Sequence, residues 1–155
     1  MLVEERIVHE VVLGIAAMPG ADDESTEVSW FAARQPGILR YLTSRCGEDS
    51  DGMAVALYYA CAIEKAFHST RGLAPPRVPG SLLPRAEEAF LSEASTRGRA
   101  GGGLADRQPA LAQMIADVVD GPPVPLTEFE ATRLGIALAA IVYALDEATV
   151  GRPVP

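Results

Sequence analysis

Two copies of the tripeptide Arg-Gln-Pro carry the side chains of this chain that are best suited to bind an anion. They lie at residues 34–36 and 107–109, 73 positions apart. A guanidinium group is planar and donates paired hydrogen bonds to a carboxylate or a phosphate. In a functional interpretation the two copies line equivalent ligand sites, and the candidate binding residues are Arg34, Gln35, Arg107 and Gln108.

The same tripeptide is also a structural signal, and this is the interpretation that we favour. Proline opens a helix at little cost, because the first N–H groups of a helix have no partner within it. We expect each glutamine to bond free backbone groups at that helix end, and each arginine to pair with a neighbouring acid. Duplication copies structural signals as faithfully as functional ones, so the repetition does not decide between the two interpretations.

Glu64 and His68 form a second candidate, one for metal or proton-transfer chemistry, because they are one helical turn apart. Bundles that bind two metal ions repeat such a pattern on their other helices. The corresponding positions in the second half of this chain hold Asp146 and Val150, so the pattern is not repeated. We therefore expect no metal and no cofactor, and we expect both side chains to be solvated or ion-paired.

Motifs of other catalytic classes are incomplete. The glycine-rich stretch 98–103 lacks the Gly-Lys-Ser/Thr ending of a phosphate-binding loop, and no serine lies in a Gly-x-Ser-x-Gly turn. Neither cysteine has a histidine close in sequence with which it would form a nucleophilic pair. The sequence therefore predicts no catalytic residue, and it favours a protein that is not an enzyme.

The elements that would position these residues are also duplicated. At the 73-residue offset the apolar positions around the first Arg-Gln-Pro match those around the second. The matched pairs are Phe31 with Leu104, Ile38 with Leu111, Tyr41 with Met114, Leu42 with Ile115 and Cys46 with Val119. A long apolar run follows each copy, at residues 52–63 and 134–145, with an offset of 82. Self-similarity of this kind predicts a duplicated helical unit.

We therefore predict a single all-α domain over residues 1–155, with six main helices in an orthogonal or bundle-like arrangement. Its two similar helical halves form an internal repeat related by a pseudo-two-fold axis. The helices that contain the two apolar runs should be the most buried and should contact each other. The predicted segments are an N-terminal helix 3–17, half A at 26–72, a helix at 81–95, a flexible linker at 96–105 and half B at 103–150.

Composition and charge limit the function classes. With 48% hydrophobic and 22% charged residues, the chain has the composition of a folded globular protein. A net charge of −8 argues against nucleic acid and anionic membranes, both of which bind basic surfaces. No apolar run reaches the roughly 18 residues of a membrane span. One lysine among thirteen basic residues is typical of a GC-rich bacterial genome. We expect the protein to lie in the cytoplasm, with Cys46 and Cys61 as free thiols.

The function that these observations favour is a non-enzymatic protein-interaction or regulatory module of a bacterial cytoplasm. Its partner is an unknown protein or a second copy of the chain. The alternative is a small enzyme or ligand-binding bundle with a site between the two repeat halves, and this site would use the arginines, glutamines, Glu64 and His68. Convergence of several of these side chains on one cavity would favour the alternative.

Overall fold

The chain folds into helices joined by short connections. The computed structural model describes residues 2–16, 28–48, 50–97 and 102–150, and within these ranges it contains eight helices and no strand. They are α1 (Glu5–Ala16), α2 (described over 28–34), α3 (Pro36–Cys46), α4 (Asp51–Arg71), α5 (Leu82–Arg97), α6 (Gly102–Arg107), α7 (Pro109–Asp120) and α8 (Glu128–Val150). The all-α prediction is confirmed.

The number of helices differs from the six that we expected. The count of six takes the segment around the first Arg-Gln-Pro as one helix with a break. The structure has this break, which Pro36 predicts, and it divides the segment into α2 and α3 at Gln35, whose backbone (φ −126°, ψ 61°) is not helical. The expected linker at 96–105 contains the end of α5 and the beginning of α6. Residues 98–101 and the predicted helix stop at Pro19-Gly20 lie outside the described ranges.

Capping residues define both ends of α4 and the start of α8, as the local sequence at each of these positions favours. The hydroxyl of Ser50 accepts a bond from the Met53 N–H at the start of α4, and Gly72 ends α4 in the left-handed region (φ 80°). Thr127 and Glu130 exchange backbone and side-chain bonds of 2.9 and 3.1 Å at the start of α8. The bond from the Thr127 N–H lowers the pKa of the Glu130 carboxyl. At the start of α7, Asp106 is a cap residue by type, but it lies within α6, and Gln108 takes the cap position.

Helices α4 and α8 form the centre of the domain and pack against each other, as the sequence predicts. From Leu138 to Leu145 every side chain of α8 is buried to 1% exposure or less. Small residues on both helices, such as Ala60 and Ala140, allow the two backbones to approach closely. Helix α1 packs on α4, α5 and α7 pack on α8, and α3 contacts both central helices. Within the described residues no helix has the length and apolarity to span a bilayer.

Gly37 allows α3 to lie directly against the segment that precedes α5. A Cβ atom at this position would lie 2.8 Å from the carbonyl oxygen of Val78 and 3.1 Å from the amide nitrogen of Gly80. Both neighbouring atoms belong to the backbone, so they cannot rotate out of the way. The contact therefore sets how closely α3 and the start of α5 approach.

We expect Gly37→Ala to lower the free energy of unfolding by about 1–3 kcal/mol, because α3 must shift away from residues 78–80. Gly14→Ala is the matched control, since Gly14 lies within a helix and has nothing within 4 Å of its Cβ position. There the exchange should stabilise the chain by about 0.5–1 kcal/mol. Urea denaturation measures both changes. Equal effects of the two substitutions would contradict the close approach.

Candidate functional site

The side-chain amide of Gln35 connects the start of α3 to the segment before α5. Its Nε2 donates to the carbonyl oxygen of Pro76 at 2.9 Å, and its Oε1 accepts from the amide of Val78 at 2.8 Å. Gln35 is completely buried. One side chain therefore satisfies a donor and an acceptor of an extended segment more than forty residues away in sequence.

Gln108 makes a comparable connection at the start of α7. Its Oε1 accepts from the amide of Val3 at 2.9 Å, just before α1, and its Nε2 donates to Oδ1 of Asp146 at 3.2 Å. Gln108 and Asp146 are both buried. The backbone at Gln108 (φ −139°, ψ 74°) resembles that at Gln35, and a proline follows each glutamine at the first helical position.

The two amides therefore act differently from our expectation that they bond their own helix ends. Neither glutamine makes a side-chain cap bond, although each occupies the cap position. The amides bond groups far away in sequence: Gln35 bonds backbone only, and Gln108 bonds the backbone of Val3 and the side chain of Asp146. This use is not evident from the sequence, because a glutamine at a helix start is normally interpreted as a local signal.

The two arginines have different partners. Arg34 pairs with Glu64 of α4: its Nε donates to Oε1 at 3.1 Å, and a terminal nitrogen bonds the same oxygen. The side chain of Arg34 is 37% exposed, whereas that of Glu64 is 2% exposed. The guanidinium of Arg107 lies over the ring of Tyr143 at 4.9 Å, in a cation–π arrangement. The candidate residues are therefore distributed over several contacts and do not converge on one site.

Glu64 and His68 are not brought together with further ligands. Glu64 is buried in its ion pair, whereas His68 is exposed near the end of α4. Among the described residues, no group of three or more His, Cys, Asp or Glu side chains could hold a metal ion.

Tyr143 is fully buried and bonds a carboxylate of α5. Its hydroxyl donates to Oε2 of Glu93 at 2.5 Å, which supplies the partner that a tyrosine in an apolar helix requires. Gly103 provides the space for this contact, because a Cβ atom there would overlap both polar groups. The cluster thus holds α5, α6 and α8 together.

A small pocket of about 340 Å³ lies between α3 and the start of α5, and we call it the α3–α5 pocket. It is lined by Gly37, Arg40, Tyr41, Ser44, Arg45, Gly80 and Pro84. Glu87 of α5 bridges to α3 beside it, accepting from the Tyr41 hydroxyl at 2.5 Å and from Nε of Arg45 at 2.7 Å. Burial and the bond to Glu87 raise the pKa of Tyr41 above its ordinary range. The bridge therefore holds α3 and α5 together.

A larger groove of about 1170 Å³ lies between α1 and α7, and we call it the α1–α7 groove. Both helices begin at the same end of it, because the Val3 amide is bonded to Gln108. Tyr59 of α4 lies between them. The apolar lining residues are Leu2, Val3, Val8, Val12, Tyr59, Pro109, Ala110, Met114 and Val118.

Among the described residues that line the α1–α7 groove, most of the charged groups are acidic. Glu4, Glu5 and Asp117 line it together with the cationic Arg6 and with His9 and Gln113. Arg6 is already paired with Glu10 at 3.0 Å and with Glu4 at 3.7 Å. An apolar floor with an acidic rim is suited to bind a ligand that is both apolar and cationic.

The sequence did not indicate this groove as a site. Its floor is made from residues such as Val8 and Met114, which have the same periodic pattern as ordinary core residues. Trp30, which precedes fully buried Phe31, is 66% exposed on α2. Periodicity identifies an apolar face but not what covers it.

We expect Gln35→Ala and Gln108→Ala each to lower the free energy of unfolding by about 1–3 kcal/mol. Each leaves the N–H of a valine, Val78 or Val3, without its partner in a buried position. Gln113→Ala is the control, because Gln113 is exposed and bonds only Asp117, one turn away. It should change stability by less than about 0.5 kcal/mol. Chemical denaturation that ranks the three variants equally would contradict the cross-links.

Arg34→Ala should destabilise the chain more than Arg107→Ala. The first leaves the carboxylate of Glu64 buried without its cation, at a cost of about 2 kcal/mol after allowance for the exposure of Arg34. The second removes a cation–π contact worth about 1 kcal/mol. Adding Glu64→Gln to Arg34→Ala should restore part of the loss. Melting temperatures test the order, and failure of the double variant to recover would contradict the charge explanation.

Comparisons with known proteins add no family to this description. No family model, no curated protein and no solved structure matches the chain. The function is therefore inferred from the geometry of the groove, the pocket and the two glutamine connections.

Proposed function

We propose that this chain is a non-enzymatic protein-interaction module whose α1–α7 groove binds an amphipathic helical segment of a partner protein. One observation carries the proposal. The groove, with a volume of about 1170 Å³, has an apolar floor at the positions that match those of the Tyr41–Glu87–Arg45 bridge beside the smaller α3–α5 pocket. Helices bind to proteins through apolar grooves of this kind.

The proposal includes the internal repeat and extends it to four helices in each half, α1–α4 and α5–α8. The glutamine connections support it. Gln35 of the first half binds the backbone ahead of α5, and Gln108 of the second half binds the backbone ahead of α1. The valines that they bind, Val3 and Val78, are 75 positions apart, close to the 73 that separate the glutamines. A buried acid, Glu64 or Asp146, occupies the matching place in α4 and α8.

The pocket and the groove correspond under this repeat. Each of the seven residues that line the α3–α5 pocket matches a residue that lines the α1–α7 groove. On α3 and α7 the pairs are Gly37 with Ala110, Arg40 with Gln113, Tyr41 with Met114, Ser44 with Asp117 and Arg45 with Val118. On α5 and α1 they are Gly80 with Glu5 and Pro84 with His9. The two sites are therefore equivalent places in the proposed halves.

The residue types explain why the α3–α5 pocket is small and the α1–α7 groove is larger. Glu87, which bridges to α3, corresponds to Val12 of α1, and its partners Tyr41 and Arg45 correspond to Met114 and Val118. Valine and methionine cannot form the hydrogen bonds by which Glu87 of α5 binds Tyr41 and Arg45 of α3. The open groove thus keeps apolar surface available for an external partner.

A helical segment fits the dimensions of the groove. The groove follows α7 from Pro109 to Gly121, a length of about 18 Å at 1.5 Å per residue. A partner helix of about twelve residues has the same length. The alternative, a small-molecule site between the halves, uses the same groove, because α1 and α7 belong to different halves in the proposed repeat.

The setting that we propose is a bacterial cytoplasm, with a protein as the partner and not nucleic acid. The net charge of −8 supports the choice of partner, since it repels phosphate. The two free thiols, Cys46 and Cys61, support a reducing compartment.

Panning a displayed library of helical peptides on the full chain tests the proposal. Selected peptides should bind Ala110→Trp at least about tenfold more weakly than wild type, because the indole fills the groove. Ala116→Trp is the matched control on the same helix, since Ala116 is exposed and does not line the groove. Its dissociation constant for the same peptides should stay within about twofold of the wild-type value. Fluorescence anisotropy with purified peptides measures all three.

Peptides that bind both tryptophan variants equally would contradict the proposal. A library that yields no binder, together with a metabolite that raises the melting temperature of wild type and not of Ala110→Trp, would favour the ligand-binding alternative. Both variants should have the circular dichroism spectrum of wild type, so that loss of binding is not loss of fold.

A further inference from the structure

We infer that the segment bound by the α1–α7 groove is cationic at both ends and apolar in its centre. The inference rests on the proposed function and adds the chemistry of the partner. It depends on three carboxylates that line the groove, Glu4, Glu5 and Asp117, against one guanidinium, that of Arg6. With His9 neutral, the charged lining residues sum to −2.

The charges at the first end of the groove are incompletely neutralised. Arg6 is shared between Glu10 at 3.0 Å and Glu4 at 3.7 Å, and all three side chains are more than 60% exposed. Glu5 makes no ion pair within the described part of the chain. An approaching lysine or arginine therefore finds a free carboxylate here without having to break an existing pair.

The second end of the groove is acidic for two reasons. Asp117 is exposed, and within the described part of the chain its carboxylate accepts from the neutral amide of Gln113, at 2.9 Å, and forms no ion pair. The last turn of α7 ends beside it, where Gly121 lines the groove. Free carbonyl groups at a helix C-terminus add negative potential. A cation is thus favoured at this end by the side chain and by the helix.

The distance between the two ends sets the spacing of the cations. The Val3–Gln108 bond places Glu4 and Glu5 beside the start of α7, and Asp117 follows Gln108 by nine residues. Nine residues of helix rise by about 14 Å. On a bound helix, lysines or arginines seven or eleven residues apart lie on one face and about 10–17 Å apart, so their long side chains reach both ends.

The region between the two ends is apolar. Half-buried Val12 and Tyr59 lie beside buried Met114 and Val118. The central turns of the partner helix therefore carry apolar side chains on the face that bears the cations. A second copy of this chain is a poor occupant, because two chains of net charge −8 repel each other.

Three synthetic helical peptides with one shared apolar face test the inference. They carry lysine, glutamine or glutamate at the two flanking positions, and isothermal titration calorimetry measures their binding to the full chain. The lysine peptide should bind at least about tenfold more tightly than the glutamine peptide at low salt, and the glutamate peptide most weakly. Raising the salt concentration should reduce the preference for lysine, because it screens exposed charges.

Variants with single neutralised carboxylates test which groups of the groove cause the preference for lysine. Glu5→Gln and Asp117→Asn should each weaken the binding of the lysine peptide by about three- to tenfold. Neither substitution should change the binding of the glutamine peptide. Glu88→Gln is the matched control, because Glu88 is exposed on α5, outside the groove, and its loss changes the net charge equally. Equal effects of all three variants, or equal binding of the three peptides, would overturn the inference.

The outcomes separate this inference from the proposed function. If library peptides still distinguish Ala110→Trp from Ala116→Trp while no preference for lysine is found, the groove binds helices but its charges do not select them. If neither test depends on the groove, both proposals fail.

Discussion

Burial of an amide side chain is the constraint on which this domain depends most. An amide removed from water must find partners for its N–H and C=O groups. Gln35 finds both in the backbone ahead of α5, and Gln108 finds them in the backbone ahead of α1 and in the carboxylate of Asp146. Each connection joins parts of the chain that are far apart in sequence. The two bonds therefore determine where α1 and α5 begin relative to α7 and α3.

A small pocket and a larger groove lie beside these connections. At the pocket, Gly37 admits the backbone of residues 78–80, and Tyr41 and Arg45 of α3 share Glu87 of α5. The groove of about 1170 Å³ between α1 and α7 is lined by Ala110 and other apolar residues. In the proposed duplication these are matching places, and only the groove has an apolar lining without a bridging carboxylate.

The interior of the domain was largely predictable from the sequence. Apolar residues recur with helical periodicity, and runs that are apolar on every face must lie at the centre, as α4 and α8 do. Local chemistry also defined several helix ends, including the hydroxyl of Ser50, the left-handed Gly72 and the Thr127–Glu130 exchange. These signals act within a few residues, so the chain carries them without reference to its tertiary structure.

The sequence by itself determined the helical class, the central pair of helices and the capped helix ends, because periodicity and capping depend on residues that are close in the chain. The tertiary structure decided the rest. The partners of Gln35 and Arg34, the exposure of Trp30 and the open groove all depend on contacts across 30 residues or more, or on their absence. A periodic pattern predicts which face of a helix is apolar. Whether another helix covers that face depends on the packing of helices that are far apart in the sequence.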